Sequence, residues 1–559
     1  MASYQNYPTK TYETLRDVYR ESAKLYAANT LFMQKENGAY KSYTYRRFAN
    51  DVEALGTALC AKGLLNAHIM LIGENCYHWA LSYLSVICGV GVVIPTDKEL
   101  SAEGLSELAK QSNATAVICS DKLADKLAPV FSSMTLIRFS ELDALIEDGK
   151  KRLSDGDRTY VDLPLNTDEM RELLFTSGTT GQSKGVMLSH KNICFNLSEM
   201  CRMVHVGSDD VFLSVLPLHH AFECTCGMLC QLSRGATVAF AEGLRQMTRN
   251  MQEVRPTVIN CVPLFMEMIY KKIWANIRKQ GMEKRVSRLI KVTNALPERA
   301  RVAAKRKLFG AIHKSFGGRL RLMISCGAAA KPDVLKGLRD FGILAIQSYG
   351  VTECAPLAAI NRDNRFHDAS AGLATPNALL DIYDVHDDGT GEIRYKGGNV
   401  MLGYYNQPEL THEVLRDGWF YTGDLGYLDE NGFLFITGRK KNSILTETGR
   451  HVSPEELELL LSKSPYVKDT VVVGILNEAK NDYDIVAIVQ PDLPFMIGAY
   501  GKDYTPEQLD LEIKKAISEV NAAVPAFKRI CSHILRREDF PKNTSGMIRR
   551  APVIAEYVK

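Results

Sequence analysis

Several absences bound what this 559-residue chain can be. Its thirteen cysteines include no C-x-x-C pair, which removes the commonest zinc and dithiol spacings. The N-terminal MASYQNYPTK has no charged region followed by an apolar core. No secretory signal is read there, and the cysteines are expected to be reduced thiols of a cytoplasmic protein. No apolar run reaches the roughly 18 residues that span a bilayer. The most apolar one, residues 79–95 (WALSYLSVICGVGVVIP), is broken by Gly89 and Gly91 and reads as a buried helix leading into a parallel strand. An excess of one charge is missing too. The 68 Lys and Arg against 65 Asp and Glu leave +3, which gives no reason to expect a nucleic-acid partner. Repeats and low-complexity tracts are absent, which excludes solenoid and linker architectures.

What is present centres on residues 173–185, LLFTSGTTGQSKG. After Thr176, nine residues hold three glycines, four hydroxyl side chains and one lysine, with no large apolar group. This is the composition of a phosphate cradle. Glycines let backbone N–H groups converge, hydroxyls donate to phosphate oxygens, and Lys184 brings a compact positive charge. The spacing is not that of a Walker loop, because Gly178, Gly181 and Gly185 surround a lysine followed by Gly185 and Val186. A second cluster, His219, His220, Cys224, Cys226 and Cys230, alternates with Phe222, Met228 and Leu229. It reads as the apolar face of a buried helix, with a metal site as the alternative.

Along the chain, residues 11–138 alternate amphipathic helical stretches with apolar runs such as 69–72 and 116–119, the pattern of a helix-covered parallel sheet. Further strands are expected at 211–217, 236–241, 257–262 and 320–325, with a long apolar helix after His220. Ligands of such sheets gather at the carboxyl ends of the strands. Residues 271–317 form a basic, helix-prone insert, either a solvated helical face or a contact for an acidic partner or membrane surface. After Asp381, turn signals such as Asp387-Asp388-Gly389 and Asn431-Gly432 indicate a small antiparallel β-subdomain. From Gly438 onward an independent α+β unit is expected, with strands at 470–475 and 485–489 and helices at 454–461 and 506–520. The predicted fold is α/β: a large N-terminal domain of helix-covered mixed sheets with a small β-subdomain, residues 1–438, then a smaller mobile α+β domain, 439–559.

Six segments in this order, FTSGTTGQSKGV, LPLHHAF, SYGVTE, YTGDLG, ITGRKK and PKNTSGMIRR, resemble the adenylate-forming superfamily of acyl-CoA synthetases, luciferases and peptide-synthetase adenylation domains. Val262-Pro263 with its following helix, the insert, and the Gly318–Arg321 to Gly327–Ala329 segment are most similar to the long-chain fatty acyl-CoA synthetase branch. The resemblance implies activation of a carboxylic acid by ATP to acyl-AMP and pyrophosphate, then transfer to coenzyme A, with Mg²⁺ as the metal. A medium or long fatty acid is the implied substrate. An aryl acid or a carrier-protein acceptor is the alternative within enzymes, and a nucleotide- or acyl-adenylate-binding protein with little turnover is the alternative outside them.

The resemblance also assigns roles. Thr176, Ser177, Gly178, Thr179, Thr180, Gly181 and Lys184 would wrap the β- and γ-phosphates. Ser348, Tyr349 and Gly350 would meet adenine, with Tyr349 stacked on it, and Gly327, Ala328 and Ala329 would form the wall beside the base. Thr352 would bond the α-phosphate and Glu353 would hold Mg²⁺. Asp424 would accept both ribose hydroxyls and Arg439 would bind the same sugar. His220 would lie near the acyl carboxylate. The C-terminal domain would swing at Lys441, bringing Gly449 toward the pantetheine channel. Lys528, Arg529, Arg549 and Arg550 either meet coenzyme A phosphates or form a solvated basic face.

One departure stands out. The family's final motif carries a lysine that binds the substrate carboxylate and α-phosphate, and Met547 occupies that position here. Methionine fills the space without charge or donor, so adenylation is expected to be impaired unless another lysine compensates. An engineered substitution, a compensated enzyme and a pseudoenzyme are the open explanations, and Lys542 is the nearest substitute.

Overall fold

The computed structural model describes residues 6–176, 183–445, 450–477, 482–542 and 548–558. It separates into two compact units. One comprises Met1–Leu380, Tyr395–Phe420 and Glu430–Leu434, and the other Asp381–Arg394, Tyr421–Asp429 and Phe435–Lys559.

The first unit is built on two sheets. In one, Leu344–Gly350, Leu322–Ser325, Val258–Cys261, Val211–Ser214, Thr237–Phe240 and Thr30–Glu36 lie parallel in that spatial order. Antiparallel strands Leu357–Ile360 and Ala39–Thr44 flank them. In the other sheet, Gly91–Thr96, Ala67–Ile72, Ala116–Cys119 and Thr135–Arg138 are parallel, and the hairpin of Met170–Thr176 and Lys184–Ser189 adds mixed character. The central strands are buried on both faces, as near-continuous runs such as HIMLI and AVIC require. Strands Ala67–Ile72 and Gly91–Thr96 approach so closely that a Cβ at Gly91 would lie 2.0 Å from the carbonyl oxygen of Ala67. The expected helix-to-strand passage is present: helix Tyr77–Ser85 runs through a π-helical turn, Val86–Val90, into Gly91–Thr96.

The strand expected at 211–217 is shorter, Val211–Ser214. Asn75 intercepts the next residues. Its Nδ2 donates to the Leu216 carbonyl at 2.7 Å and its Oδ1 accepts from the Leu218 N–H at 2.9 Å, taking groups a neighbouring strand would otherwise use. The helix expected after His220 is Phe222–Leu229, π-helical, continued by Cys230–Ser233. Cys224, Cys226 and Cys230 are buried on it, and burial pushes their thiols up. Among the described residues no group of His, Cys, Asp and Glu is arranged to hold a metal ion. The basic insert is helical throughout: Pro263–Lys279, Glu283–Asn294, Glu298–Leu308 and Gly310–Ser315. Pro263 opens the first of these, where its fixed φ suits a helix start. No helix among the described residues is long and apolar enough to cross a membrane.

In the second unit, Val467–Asn477 pairs antiparallel with Asp482–Pro491, which pairs parallel with Ser532–Leu535. Both leading strands exceed the expected 470–475 and 485–489. The apolar alternation stops, but the ladder continues to the pair Asn477 and Asp482. One face packs Val472, Ala487 and Val489 against helices Pro454–Leu461 and Pro506–Ala523. The other packs Val471, Val473, Val486 and Ile488 against Phe540 and Val553.

Candidate active site

The glycine-rich segment is bounded by two paired strands. Thr176 pairs with Lys184 and Phe175 with Gly185, while Ser177, Gly178, Thr179, Thr180 and Gly181 lie outside the described residues. The hairpin's second strand continues through Ser189, an N-cap, into helix His190–Met203. That helix carries buried amides, and these hold the SYGVTE segment. Asn196 Nδ2 donates to the carbonyls of Cys354 (3.2 Å) and Leu357 (2.9 Å). Asn399 Nδ2 donates to the same two carbonyls at 2.6 and 2.9 Å, and its Oδ1 accepts from the Tyr395 hydroxyl. Buried amide–carbonyl bonds of this kind are costly to leave unmade, so the turn is held from two sides.

On that turn, Ser348, Tyr349 and Gly350 end the strand Leu344–Gly350 at its carboxyl end, and Thr352–Cys354 form a 3₁₀ turn. Gly350 is required: a Cβ there would meet the Pro356 carbonyl oxygen at 2.2 Å, where Val351 N–H donates to the same oxygen. Ser348 Oγ donates to the Ser325 carbonyl across the neighbouring parallel strand. The chain leaving that strand, Gly327, Ala328 and Ala329, is exposed, with Gly327 at φ +83°. Its far end is tied down where Ala330 N–H donates to Gln347 Oε1 at 2.9 Å. The candidate base-binding residues and their wall therefore leave adjacent strand ends, the usual ligand position in an open α/β sheet.

Glu353 and Lys184 are joined by a residue the sequence did not single out. The short strand Gly403–Tyr404 pairs with Lys184–Ser189, and the Tyr404 hydroxyl donates to Glu353 Oε1 at 2.8 Å. Lys184 Nζ lies 5.1 Å from the centre of the Tyr404 ring. Burial, then the Glu353 charge, holds the Tyr404 phenol far above its ordinary range, so it remains a donor to that carboxylate. Glu353 is also fixed through its backbone, since its carbonyl accepts from Met401 N–H at 2.8 Å. The only local signal for Tyr404 is the Gly-Tyr-Tyr-Asn turn, and its meaning depends on a strand more than 200 positions earlier in the chain.

His219 and His220 follow the loop latched by Asn75, with ring centroids 4.3 Å apart. His219 Nε2 lies 3.9 Å from Asp97 Oδ2. Burial lowers both imidazoles, His219 to about 3, so both are neutral near pH 7. Two carboxyls of this region are displaced the other way. Glu172 and Glu223 are fully buried and raised to about 8, and Glu223 Oε1 accepts from Ser214 Oγ at 2.7 Å.

In the second unit, Asp424 is buried and Arg439 Nε lies 3.0 Å from its Oδ1. Gly423 N–H donates to Glu392 Oε1, whose other oxygen accepts from Lys440 Nζ at 2.7 Å. Consecutive residues Arg439 and Lys440 thus meet two different carboxylates just before Lys441, which lies in the 3₁₀ turn Lys440–Asn442. Lys528 is buried between Glu456 (2.8 Å) and Asp388 (3.3 Å), and Arg550 pairs with Glu458 and the Val472 carbonyl. These two are structural ion pairs, which leaves Arg529 and Arg549 as the exposed members of the basic set. Gly449 and Met547 lie outside the described residues. Lys542 forms an ion pair with Asp469 at 2.7 Å and a backbone bridge with Ile548.

Known proteins resemble this chain along most of its length. Residues 19–405 match the AMP-binding enzyme family and residues 441–559 match the AMP-binding enzyme C-terminal domain. The chain is 30% identical to long-chain-fatty-acid–CoA ligase 5 of Rattus norvegicus, over 87% of this chain and 77% of that protein. It is 27% identical to long-chain-fatty-acid–CoA ligase FadD15 of Mycobacterium bovis, over 92% and 90%. Among solved structures, ATP-bound MatB from Rhodopseudomonas palustris superimposes with a TM-score of 0.75 at 22% identity, covering 97% of this chain and 99% of that one. The anthranilate CoA ligase AuaEII in complex with anthranoyl-AMP gives 0.75 at 17%, covering 98% of each. These two share the fold. The chain belongs to the adenylate-forming AMP-binding enzymes and is an acid–thiol ligase of the acyl-CoA synthetase type.

Proposed function

We propose that this chain activates a medium- or long-chain fatty acid with ATP and passes the acyl group to coenzyme A in the cytoplasm. The supporting observation is the Lys184–Tyr404–Glu353 cluster beside the clamped SYGVTE turn, in a chain that resembles named long-chain-fatty-acid–CoA ligases along most of its length. In the first step a carboxylate oxygen attacks the α-phosphorus, the bond to the β-phosphate oxygen breaks, and pyrophosphate leaves. In the second, thiol sulfur attacks the acyl carbon, AMP leaves carrying the bridging oxygen, and the thiol proton is released. Both steps depend on alignment and charge neutralisation.

Lys184 and the loop before it would neutralise the departing pyrophosphate. Thr352 would donate to the α-phosphate and Tyr349 would stack on adenine. Asp424 and Arg439 would hold the ribose, exchanging their mutual ion pair for sugar hydroxyls. His220, neutral at pH 7, can donate one hydrogen bond to the acyl carboxylate. The oxygen chemistry of Glu353, Thr352 and the nucleotide phosphates fits Mg²⁺, which takes one or two carboxylates and keeps waters. Glu353 would hold that ion, whose charge offsets that of the phosphate oxygens. Tyr404 would orient the carboxylate for it. Residues 1–438 would form the adenylation domain and 439–559 a mobile domain turning at Lys441.

Met547 favours a second reading, a protein that holds nucleotide or acyl-adenylate with little turnover. The deciding measurement is carboxylate-dependent pyrophosphate release by wild type and Met547→Lys, across acids of graded chain length and an aryl acid, with coenzyme A and a carrier protein as acceptors. A gain of at least about tenfold in the lysine variant, greatest with fatty acids and coenzyme A, is expected. No gain while ATP still binds sinks the adenylating reading, and activity confined to aryl acids or a carrier protein sinks the fatty acyl-CoA assignment.

A further inference from the structure

The two sheets of the first unit meet at the loop that carries the histidine pair, and one amide joins them there. Strand Ala67–Ile72 belongs to one sheet and Val211–Ser214 to the other. Asn75, just past the carboxyl end of the first strand, reaches the chain that leaves the second. Its Nδ2 donates to Ser214 Oγ at 3.0 Å and to the Leu216 carbonyl at 2.7 Å, and its Oδ1 accepts from Leu218 N–H at 2.9 Å. An amide side chain offers two donor hydrogens and a carbonyl oxygen, and Asn75 uses all of them. Aspartate would lose both donors, and glutamine would carry the amide one methylene too far.

The far side of the loop is closed through the same contact. Ser214 Oγ, while accepting from Asn75, donates to Glu223 Oε1 at 2.7 Å. Glu223 lies in the segment Phe222–Leu229 that follows His220. Between these two anchors, His220 N–H donates to the Pro217 carbonyl at 3.1 Å, and the His220 carbonyl accepts from Cys224 N–H at 3.1 Å. Pro217 has a fixed φ and no N–H, which leaves that short turn few conformations. Residues 215–222 are therefore tied at both ends, and Asn75 contributes to each tie.

The rings are held less directly. His219 Nε2 is buried with no hydrogen-bond partner among the described residues, and Asp97 Oδ2 stands 3.9 Å away, beyond hydrogen-bond reach. The two ring centroids are 4.3 Å apart, so a shift of one imidazole presses on the other. Their placement comes from the backbone that carries them, and a displacement of about 1 Å is enough to spoil an aligned contact. We propose that Asn75 is a positioning residue for the acid substrate: by latching the loop to the second sheet it sets where His220 stands, and through His220 the affinity for the acyl carboxylate. The inference rests on the reading that His220 meets that carboxylate. Asn75 donates to and accepts from none of the residues proposed to hold the nucleotide.

The test is calorimetric titration of dodecanoate into the full chain saturated with a non-hydrolysable ATP analogue and Mg²⁺, a measurement that needs no turnover. Asn75→Ala should weaken dodecanoate at least about fivefold while the affinity for the ATP analogue changes by less than about twofold. His220→Ala should weaken dodecanoate by a similar factor, and adding Asn75→Ala to it should cost less than about twofold more, because both act through one contact. Asn75→Asp keeps the size of the side chain and the acceptor for Leu218 but loses both donors. It should match Asn75→Ala, and it carries the comparison should the alanine variant not fold. Additive losses in the double variant, or equal weakening of both ligands, overturn the inference, since Asn75 would then be merely structural. Unchanged dodecanoate affinity in the Asn75 variants beside a loss in His220→Ala overturns it as well and leaves the functional reading standing. No binding of dodecanoate by wild type, or no loss in His220→Ala, overturns that reading and the inference with it.

Discussion

The two groups of candidate nucleotide contacts are held by different physics. In the first unit, the SYGVTE turn is gripped by Asn196 and Asn399, buried neutral amides that satisfy two carbonyls twice over. In the second, Asp424 and Glu392 are met by Arg439 and Lys440, whose side chains are about half exposed. Buried neutral bonds are insensitive to salt and rigid, while half-exposed ion pairs are screened and exchange partners readily. A turn proposed to align a phosphorus atom would benefit from the first property. Residues proposed to part from each other to admit a sugar, next to a proposed pivot at Lys441, would benefit from the second.

That contrast can be broken or sharpened by experiment. The largest effect is expected at the carboxylate between the phosphate-side residues. Glu353→Gln should lower pyrophosphate release at least about 100-fold, and Tyr404→Phe about tenfold, since the phenol orients the carboxylate without replacing it. Equal losses in both would remove the distinction drawn between them. Next, Asn399→Ala should destabilise the first unit by about 1–3 kcal/mol, read as a lower midpoint in urea, and the deficit should be the same at low and high salt. A deficit that vanishes in salt would contradict the neutral clamp.

The ribose-side pair should behave oppositely. Arg439→Ala is expected to change stability by less than about 1 kcal/mol, and the difference should shrink as salt rises. A last contrast concerns pH. Glu223 is raised to about 8 in the folded protein from an ordinary 4.5. Between those values the folded state holds a proton that the unfolded chain has lost, so this group makes stability fall as pH rises toward 8. Glu223→Gln should flatten that decline in a series of urea midpoints from pH 5 to 8, and an unchanged slope would assign the decline to other groups.

Much of this was legible in the sequence, because strands buried on both faces announce themselves as unbroken apolar runs. Residues 69–72 and 116–119 fall within or coincide with observed strands, and helix Pro454–Leu461 has the expected ends because proline marks its start. The motif residues of SYGVTE fall on a strand end and the turn after it for the same local reasons. What stayed hidden was pairwise and distant. Asn75 shortens a strand beginning at Val211, Asn399 holds a turn at Cys354, and Tyr404 gains its partners from a two-residue strand. None of these has a local pattern, because a single amide or phenol acquires its role only from the element folded against it. The same holds for Lys528 and Arg550, which look like ligand-binding cations until their carboxylate partners are seen.

The hairpin register has a consequence for how this protein can change. Lys184 is anchored on a strand opposite Thr176. Substitutions among residues 177–182 could therefore alter the proposed phosphate contacts while the lysine keeps its footing. A slip of one residue in the paired strands would instead turn Lys184 to the opposite face of the sheet. Substitutions between the paired strands should change the proposed grip itself, and those at Thr176 or Lys184 the register that positions it.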